Sequence, residues 1–306
     1  MERRPALGYL LAASAAILWS LNGSLARFLL DDGLGAERLS QLRSLGSWLI
    51  LVIALALLRP KLLRVERREI PALVFVGIAG LAFVHALYFV AIDRLQIGVA
   101  LTIQYLAPLL ILLWLRLAHG RRLAPALWGA VALSVLGCFF VVRAYEIDAV
   151  DGLGLLAALG SAVTFAIYIV GSERAGHRHE PVTTLVWAFG FATLFWALAA
   201  PWWSFPWEEL GSLRNLALVA YVIVLGTLVP FVCMVAALRH VPAPRAAVVA
   251  TLEPVLAAVL AWAIHDEKLA AVQLAGGAAV LLGVVWVQTH RPDVGAEAAP
   301  PLRAVR

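Results

Sequence analysis

The chain has 306 residues, of which 63% are hydrophobic and 14% are charged, with a formal net charge of +5. Soluble domains are about 45–50% apolar and about 25% charged, so the composition excludes a water-soluble protein and indicates an integral membrane protein. Neither of the two lysines, Lys61 and Lys268, follows a glycine, which excludes a Gly-Lys-Ser/Thr phosphate loop.

Ten stretches of the chain are apolar and long enough to cross a bilayer, which takes about 20 residues per helix. The first follows two arginines, as a signal peptide would, but its apolar run continues to Leu30 and predicts a retained span. Residues 290–306 are rich in Ala, Pro and Arg and predict a disordered cytoplasmic tail. The ten predicted spans cover residues 6–30, 36–58, 70–92, 97–118, 124–143, 152–173, 182–200, 214–238, 244–264 and 270–289.

The basic residues between these spans predict the orientation of the protein, because cytoplasmic loops carry an excess of Lys and Arg. With the N-terminus inside, 17 of the 24 basic residues lie on the cytoplasmic side and 5 lie outside. The other two, Arg27 and Arg43, lie within spans. This distribution predicts that both termini are cytoplasmic in a multi-pass protein of the bacterial inner membrane. It also accounts for the net positive charge without nucleic-acid binding.

The two halves of the chain align without gaps when the sequence is shifted by 146 residues. Each half holds five spans, an odd number, so the second half must begin on the opposite side of the membrane. The sequence therefore predicts an all-α membrane protein of ten transmembrane helices, built from two inverted five-helix repeats at 6–143 and 152–289. Matching positions include Gly8 with Gly154, Pro108 with Pro254, His119 with His265, and Gly137 with Gly283.

The residues around the ninth span resemble a known family. The run from Thr251 through Glu253-Pro254 to Val259, followed by glycines at 276, 277 and 283, resembles the EamA signature of the drug/metabolite transporter superfamily. The first half is similar but looser, with Ala107-Pro108 in place of Glu-Pro. Among members, the chain is most similar to bacterial YddG-type exporters of aromatic and other neutral amino acids. The resemblance implies a ten-helix transporter that exports amino acids or small metabolites.

Polar and aromatic side chains within the spans are candidates for a substrate cavity, because polar groups at membrane depth usually face the bundle interior. Each has an alternative role: hydroxyls bond to their own helix carbonyls, and aromatic rings fill cores. Arg43 has the alternatives of anchoring a helix end or pairing with an outer carboxylate. The substrate-binding candidates are Trp19, Asn22, Arg43, His85, Tyr88, Thr102, Tyr105, Tyr168 and Trp187.

Glu253 is the one acid that these boundaries place deep within a span, and two roles for it stay open. It is either the proton-coupling group of an antiporter or a structural acceptor at a helix kink. The adjacent Pro254 and its repeat equivalent Pro108 each remove a helix hydrogen bond. We expect these two prolines to be pivots for alternating access.

Together these features predict a secondary transporter that exports neutral amino acids, with aromatic ones among the candidates, and related metabolites. We expect it to act as a monomer in the lipid bilayer, without cofactor or metal. One alternative is a drug or other metabolite transporter of the same superfamily, although nucleotide-type substrates would require more buried basic residues. An intramembrane enzyme is a remote alternative, since the spans contain neither paired carboxylates nor a Ser/His dyad at depth.

Overall fold

The computed structural model describes residues 4–145, 151–265, 270–290 and 293–298, and every regular element among them is helical. The first half contains α1 (Pro5–Trp19), α2 (Asn22–Asp31), α3 (Ala36–Leu58), α4 (Ile70–Phe75), α5 (Phe83–Arg94), α6 (Ile97–Gln104), α7 (Ala107–Leu117) and α8 (Pro125–Val141). The second half contains α9 (Gly152–Gly176), α10 (Pro181–Ala199), α11 (Leu213–Ile223), α12 (Val229–Ala237), α13 (Ala243–Ala250), α14 (Leu252–His265), α15 (Ala271–Thr289) and α16 (Val294–Glu297).

Nine helical stretches among the described residues are long and apolar enough to cross a membrane. They coincide with nine of the ten predicted spans. The predicted fifth span, 124–143, is α8, which is apolar but only 17 residues long. That length is at the lower end of the range of about 17–25 residues for a crossing helix, so the count of ten stays a prediction.

Several spans are interrupted near their middle. The first breaks between α1 and α2, the fourth between α6 and α7, and the ninth at Thr251, between α13 and α14. Pro108 and Pro254 lie in the first turns of α7 and α14, where a missing backbone N–H costs little. The third and eighth spans contain π-helical segments, Val76–Ala82 and Val224–Leu228. By contrast, α9 runs unbroken for 25 residues.

The last helices of the two halves, α8 and α15, pack antiparallel and in very close contact. A Cβ atom added to Gly137 would lie 2.7 Å from the carbonyl oxygen of Gly276. The reciprocal Cβ on Gly276 would lie 2.8 Å from the carbonyl oxygen of Gly137. Small residues let membrane helices approach to this distance, so these glycines join the two halves.

Contacts between the halves also occur in matched pairs. A Cβ on Gly8 would lie 2.9 Å from Cγ1 of Val241, and a Cβ on Gly154 would lie 2.8 Å from Cγ of Leu95. Likewise, a Cβ added to Gly80 would lie 3.2 Å from Cα of Tyr168. Gly226 is in close contact with Asn22 in the same way. In each pair, one half supplies the glycine and the other half supplies its neighbour.

The described part of the tail, residues 293–298, contains the short helix α16. The short helix α16 places Glu297 against Arg245 of α13, with an Arg245 Nε to Glu297 Oε2 distance of 2.5 Å. The two residues are only 2% and 1% exposed. Arg245 also donates to the carbonyl of His290 at 2.6 Å. A buried guanidinium thus holds this carboxylate against α13. The disorder predicted for residues 290–306 stays a prediction, and residues 291–292 and 299–306 lie outside the described part.

Removing this ion pair is expected to loosen the tail. Because Arg245 keeps its carbonyl acceptors, we expect Glu297→Ala to lower the free energy of unfolding by roughly 3 kcal/mol, the low end for breaking a buried pair. The measurement is the thermal midpoint of the purified protein in detergent. Glu208→Ala, which changes an exposed acid between α10 and α11, is the matched control. An unchanged midpoint for Glu297→Ala would show that the tail does not dock.

Candidate functional site

A cavity of about 40 Å³ lies in the middle of the bundle, next to the interruptions in the first, fourth and ninth spans. Since one water molecule needs roughly 10–15 Å³ of such space, the cavity holds only a few waters. Seven of the residues predicted from the sequence line it. The full lining is Trp19, Asn22, Arg43, Val84, His85, Tyr88, Gln104, Tyr105, Phe165, Phe231 and Glu253.

Three predicted cavity residues do not line this cavity. Thr102 Oγ1 donates to the carbonyl of Cys138 at 3.4 Å, so it joins α6 to α8. Trp187 Nε1 donates to the carbonyl of Leu63 at 3.0 Å, which fixes α10 to the loop after α3. Tyr168 lies behind the wall, and its hydroxyl donates to the carbonyl of Phe231 at 3.5 Å. These side chains hold neighbouring elements together.

Aromatic rings form one wall of the cavity. The ring of Trp19 lies 5.9 Å from Phe165 and 5.3 Å from Phe231, edge to face in both pairs. His85 makes a similar contact with Phe231 at 5.1 Å and stacks against Phe189 at 6.3 Å. Such pairs have a preferred geometry, so this wall is packed and offers an apolar surface to a ligand.

Arg43 is held in place from two sides although it is only 2% exposed. Its Nε donates to Thr227 Oγ1 at 2.7 Å and its Nη2 donates to the carbonyl of Gly226 at 3.1 Å. Its guanidinium also lies 5.1 Å from the centre of the Phe89 ring. The alternative of an outer carboxylate partner is wrong, because Arg43 instead reaches the π-helical segment of the eighth span. A guanidinium has five N–H donors, so donors remain for a ligand.

Glu253 connects two of the helix interruptions. It lies in the first turn of α14, and one of its carboxyl oxygens accepts a hydrogen bond from the hydroxyl of Tyr105, which follows α6. Glu253 is 6% exposed. Two other acids are also buried, Glu173 near the end of α9 and Glu297 of α16, but neither lies in the middle of a predicted span.

The cavity collects buried polar atoms that have no hydrogen-bond partner in the described structure. They are Oδ1 of Asn22, both ring nitrogens of His85, the hydroxyl of Tyr88 and Oε1 of Gln104. Buried polar groups normally have a partner, and an unsatisfied one costs about 1–3 kcal/mol. A concentration of them around one cavity indicates a place for a polar ligand or ordered water.

Sequence reasoning missed four lining residues: Val84, Gln104, Phe165 and Phe231. Gln104 is next to Tyr105 and is polar within a span, so its polarity could have identified it as a lining residue. Phe165 and Phe231 lie 146 residues after Trp19 and His85, so the repeat offset also carried the information. Val84 has no signal beyond its neighbour His85.

Comparison with known proteins identifies the fold and its family. A crystal structure of another protein superposes with a TM-score of 0.72 at 21% sequence identity, covering 92% of this chain and 96% of that chain. The model of the EamA-like transporter family matches the chain twice, over residues 6–143 and 152–289. The chain belongs to the EamA-like transporter family. The family resemblance deduced from the residues around Glu253-Pro254 is thereby confirmed.

Relatives of this EamA-like protein include characterised and uncharacterised transporters. The threonine/homoserine exporter RhtA of Escherichia coli strain K12 is 29% identical over 248 residues, which cover 81% of this chain and 80% of the relative. The inner membrane transporter YicL of Salmonella typhimurium strain LT2, whose function is uncharacterised, is 22% identical over 259 residues, which cover 83% and 85%. These relatives and the family identify a multi-pass membrane transporter of small molecules.

Proposed function

We propose that this EamA-like protein exports neutral amino acids across the bacterial inner membrane by alternating access around the central cavity. The observation that carries the proposal is the set of buried polar atoms without partners at Asn22, His85, Tyr88 and Gln104. Because they lie in the interior of a membrane bundle, a polar molecule that occupies the cavity would satisfy them.

The charges of the cavity support a substrate without net charge. Arg43 and Glu253 contribute one basic and one acidic group to the lining. A nucleotide-type anion would require an excess of buried basic groups. The 29% identical relatives are exporters of threonine and homoserine, so these two amino acids are the first candidates. Aromatic amino acids, which the YddG-type resemblance implies, are the second.

The matched contacts support two inverted repeats. Position 154 is position 8 plus 146, and position 95 is position 241 minus 146. The contact of Gly8 with Val241 is therefore the repeat equivalent of the contact of Gly154 with Leu95. Gly80 with Tyr168 and Gly226 with Asn22 exchange in the same way. We therefore infer five helices per repeat and ten spans including α8. The excess of basic residues in the loops assigned to the inside supports both termini in the cytoplasm. Since both repeats of one chain line the cavity, a monomer suffices.

Counterflow in proteoliposomes tests the proposed function. Liposomes that contain the purified protein and are loaded with an unlabelled amino acid should accumulate the same labelled amino acid above protein-free liposomes. Threonine, homoserine, alanine, phenylalanine and tryptophan form the test panel. If none of the common amino acids exchanges, the proposed function is wrong.

His85→Phe tests the place of binding. His85 has Phe231 as its repeat equivalent, so a phenyl ring should fit the same stacking position while the ring nitrogens are lost. We expect exchange to fall about tenfold, since two hydrogen bonds contribute roughly 0.5–1.5 kcal/mol each. Trp187→Phe, which changes an aromatic residue outside the cavity, should leave exchange within twofold. Equal effects of both variants would argue against binding in this cavity.

A further inference from the structure

The two charged side chains of the central cavity come from different repeats. Arg43 lies on α3 and Glu253 lies on α14, and both are more than nine-tenths buried. Among the residues described by the structure, neither makes a close ion pair, with the other or with a third residue, although the two opposite groups attract one another across the cavity. Burying a charge without a partner at close range is costly. The arrangement therefore leaves space between two opposite groups, Arg43 and Glu253, for a ligand that makes a closer contact with each of them.

A single molecule can compensate both charges only if it carries a carboxylate-like group and an ammonium-like group. An inorganic anion would pair with Arg43 alone, and a simple cation with Glu253 alone. A free α-amino acid carries both groups on the same carbon, its Cα. The opposite charges of the cavity thus match a zwitterion better than either kind of ion.

The surroundings of Arg43 suit the binding of a carboxylate, and those of Glu253 suit the binding of an ammonium group. Thr227 and the carbonyl of Gly226 orient the guanidinium of Arg43, and the unpartnered hydroxyl of Tyr88 is available as a further donor to a carboxylate. Tyr105 orients the carboxyl group of Glu253. Unpartnered amide oxygens of Asn22 and Gln104 are available as acceptors for an ammonium group.

We propose that the cavity binds its substrate as a zwitterion, with the carboxylate on Arg43 and the ammonium on Glu253. The wall of Trp19, Phe165 and Phe231 then faces the substrate side chain. Because the cavity holds only about 40 Å³, small side chains fit with less rearrangement than aromatic ones. This assignment rests on the proposed function and specifies which part of the substrate is recognised.

Binding of matched analogues tests the two charges separately. Threonine carries both groups, threonine amide lacks the carboxylate, and N-acetylthreonine lacks the ammonium. Their affinities for the purified protein are measured by calorimetry, with threonine counterflow measured in parallel. The native protein should bind threonine at least tenfold more tightly than either analogue, a factor that corresponds to about 1.4 kcal/mol.

The substitutions Arg43→Gln and Glu253→Gln give opposite expectations for the two analogues. Arg43→Gln should weaken threonine at least tenfold and leave threonine amide unchanged, because the amide has no carboxylate to lose. Glu253→Gln should weaken threonine at least tenfold and leave N-acetylthreonine unchanged. Merely structural damage would weaken all three ligands alike. Such a uniform loss would overturn the assignment.

Two matched controls and a second variant keep the test decisive. Arg27→Gln changes another basic residue within a span, and Glu173→Gln changes another buried acid, and neither residue lines the cavity. Both controls should keep the native preference for threonine. If Arg43→Gln does not fold, Arg43→Lys is the second variant, because it keeps the charge without the planar fork. Its affinity for threonine should be lower than that of the native protein and of Arg27→Gln, but binding should not be lost.

The outcomes separate the assignment from the proposed function. If native protein exchanges amino acids but binds the analogues as tightly as threonine, the zwitterion assignment is wrong and amino-acid export stands. If the native protein neither binds nor exchanges any amino acid, both are overturned.

Discussion

Gly276→Ala is expected to destabilise the protein strongly, while Gly277→Ala, one residue further along α15, is expected to be tolerated. A Cβ on Gly276 would lie 2.8 Å from the backbone oxygen of Gly137 and 2.8 Å from the backbone nitrogen of Val141. These backbone atoms cannot move aside without separating α8 from α15. At Gly277, the nearest atom is Cγ1 of Val255 at 3.6 Å, an ordinary contact distance.

The comparison isolates packing, because both residues are buried in the same helix and both substitutions change helix propensity by the same amount. We expect Gly276→Ala to lower the free energy of unfolding by about 2–3 kcal/mol relative to Gly277→Ala, as overpacked cores do. The thermal midpoint in detergent and the yield of monodisperse protein measure the difference. Equal midpoints for the two variants would contradict the close approach of α8 and α15.

Replacing both Pro108 and Pro254 by Ala is expected to slow transport far more than it changes stability. Each proline starts a helix just after an interruption, and an alanine at position 108 or 254 supplies the missing N–H to the preceding turn. The broken spans could then become continuous helices, and the free-energy difference between broken and straight forms shifts by up to about 3 kcal/mol. At 1.4 kcal/mol per factor of ten, exchange could fall about a hundredfold.

The measurement is the initial rate of amino-acid exchange in proteoliposomes at equal protein content. Pro125→Ala is the control, because Pro125 opens α8 at a loop and not in the middle of a span. It should leave the rate within twofold. Unchanged transport by the double variant would show that the prolines are not pivots.

Much of the fold could be predicted because hydropathy along the chain reports directly on membrane crossing. The break at Thr251 could be anticipated from Pro254, because a proline has no backbone N–H to donate to the preceding turn of a continuous helix. The break between α1 and α2 has no proline near it, and the sequence offers no comparable signal for its position. The docking of Glu297 was missed because a single acid in a polar tail carries no pattern.

The candidate site was predicted in part because polar side chains stand out within apolar spans. Hydropathy does not give the rotation of each helix about its axis, so Thr102 and Trp187 could not be distinguished from residues that line the cavity. Phe165 and Phe231 were missed for a different reason, since an apolar residue in an apolar helix is inconspicuous. Only their positions 146 residues after Trp19 and His85 distinguish them.

The unbroken helix α9 has a consequence for the transport cycle. Its repeat equivalent is divided into α1 and α2, so the first span can bend near Asn22 while its counterpart moves as a rigid rod of 25 residues. In the proposed alternating access, one repeat contributes a jointed first helix and the other repeat a stiff one. The inward-open and outward-open states are then not structurally equivalent and differ in free energy. That difference sets which state is more populated, while net export still requires a gradient.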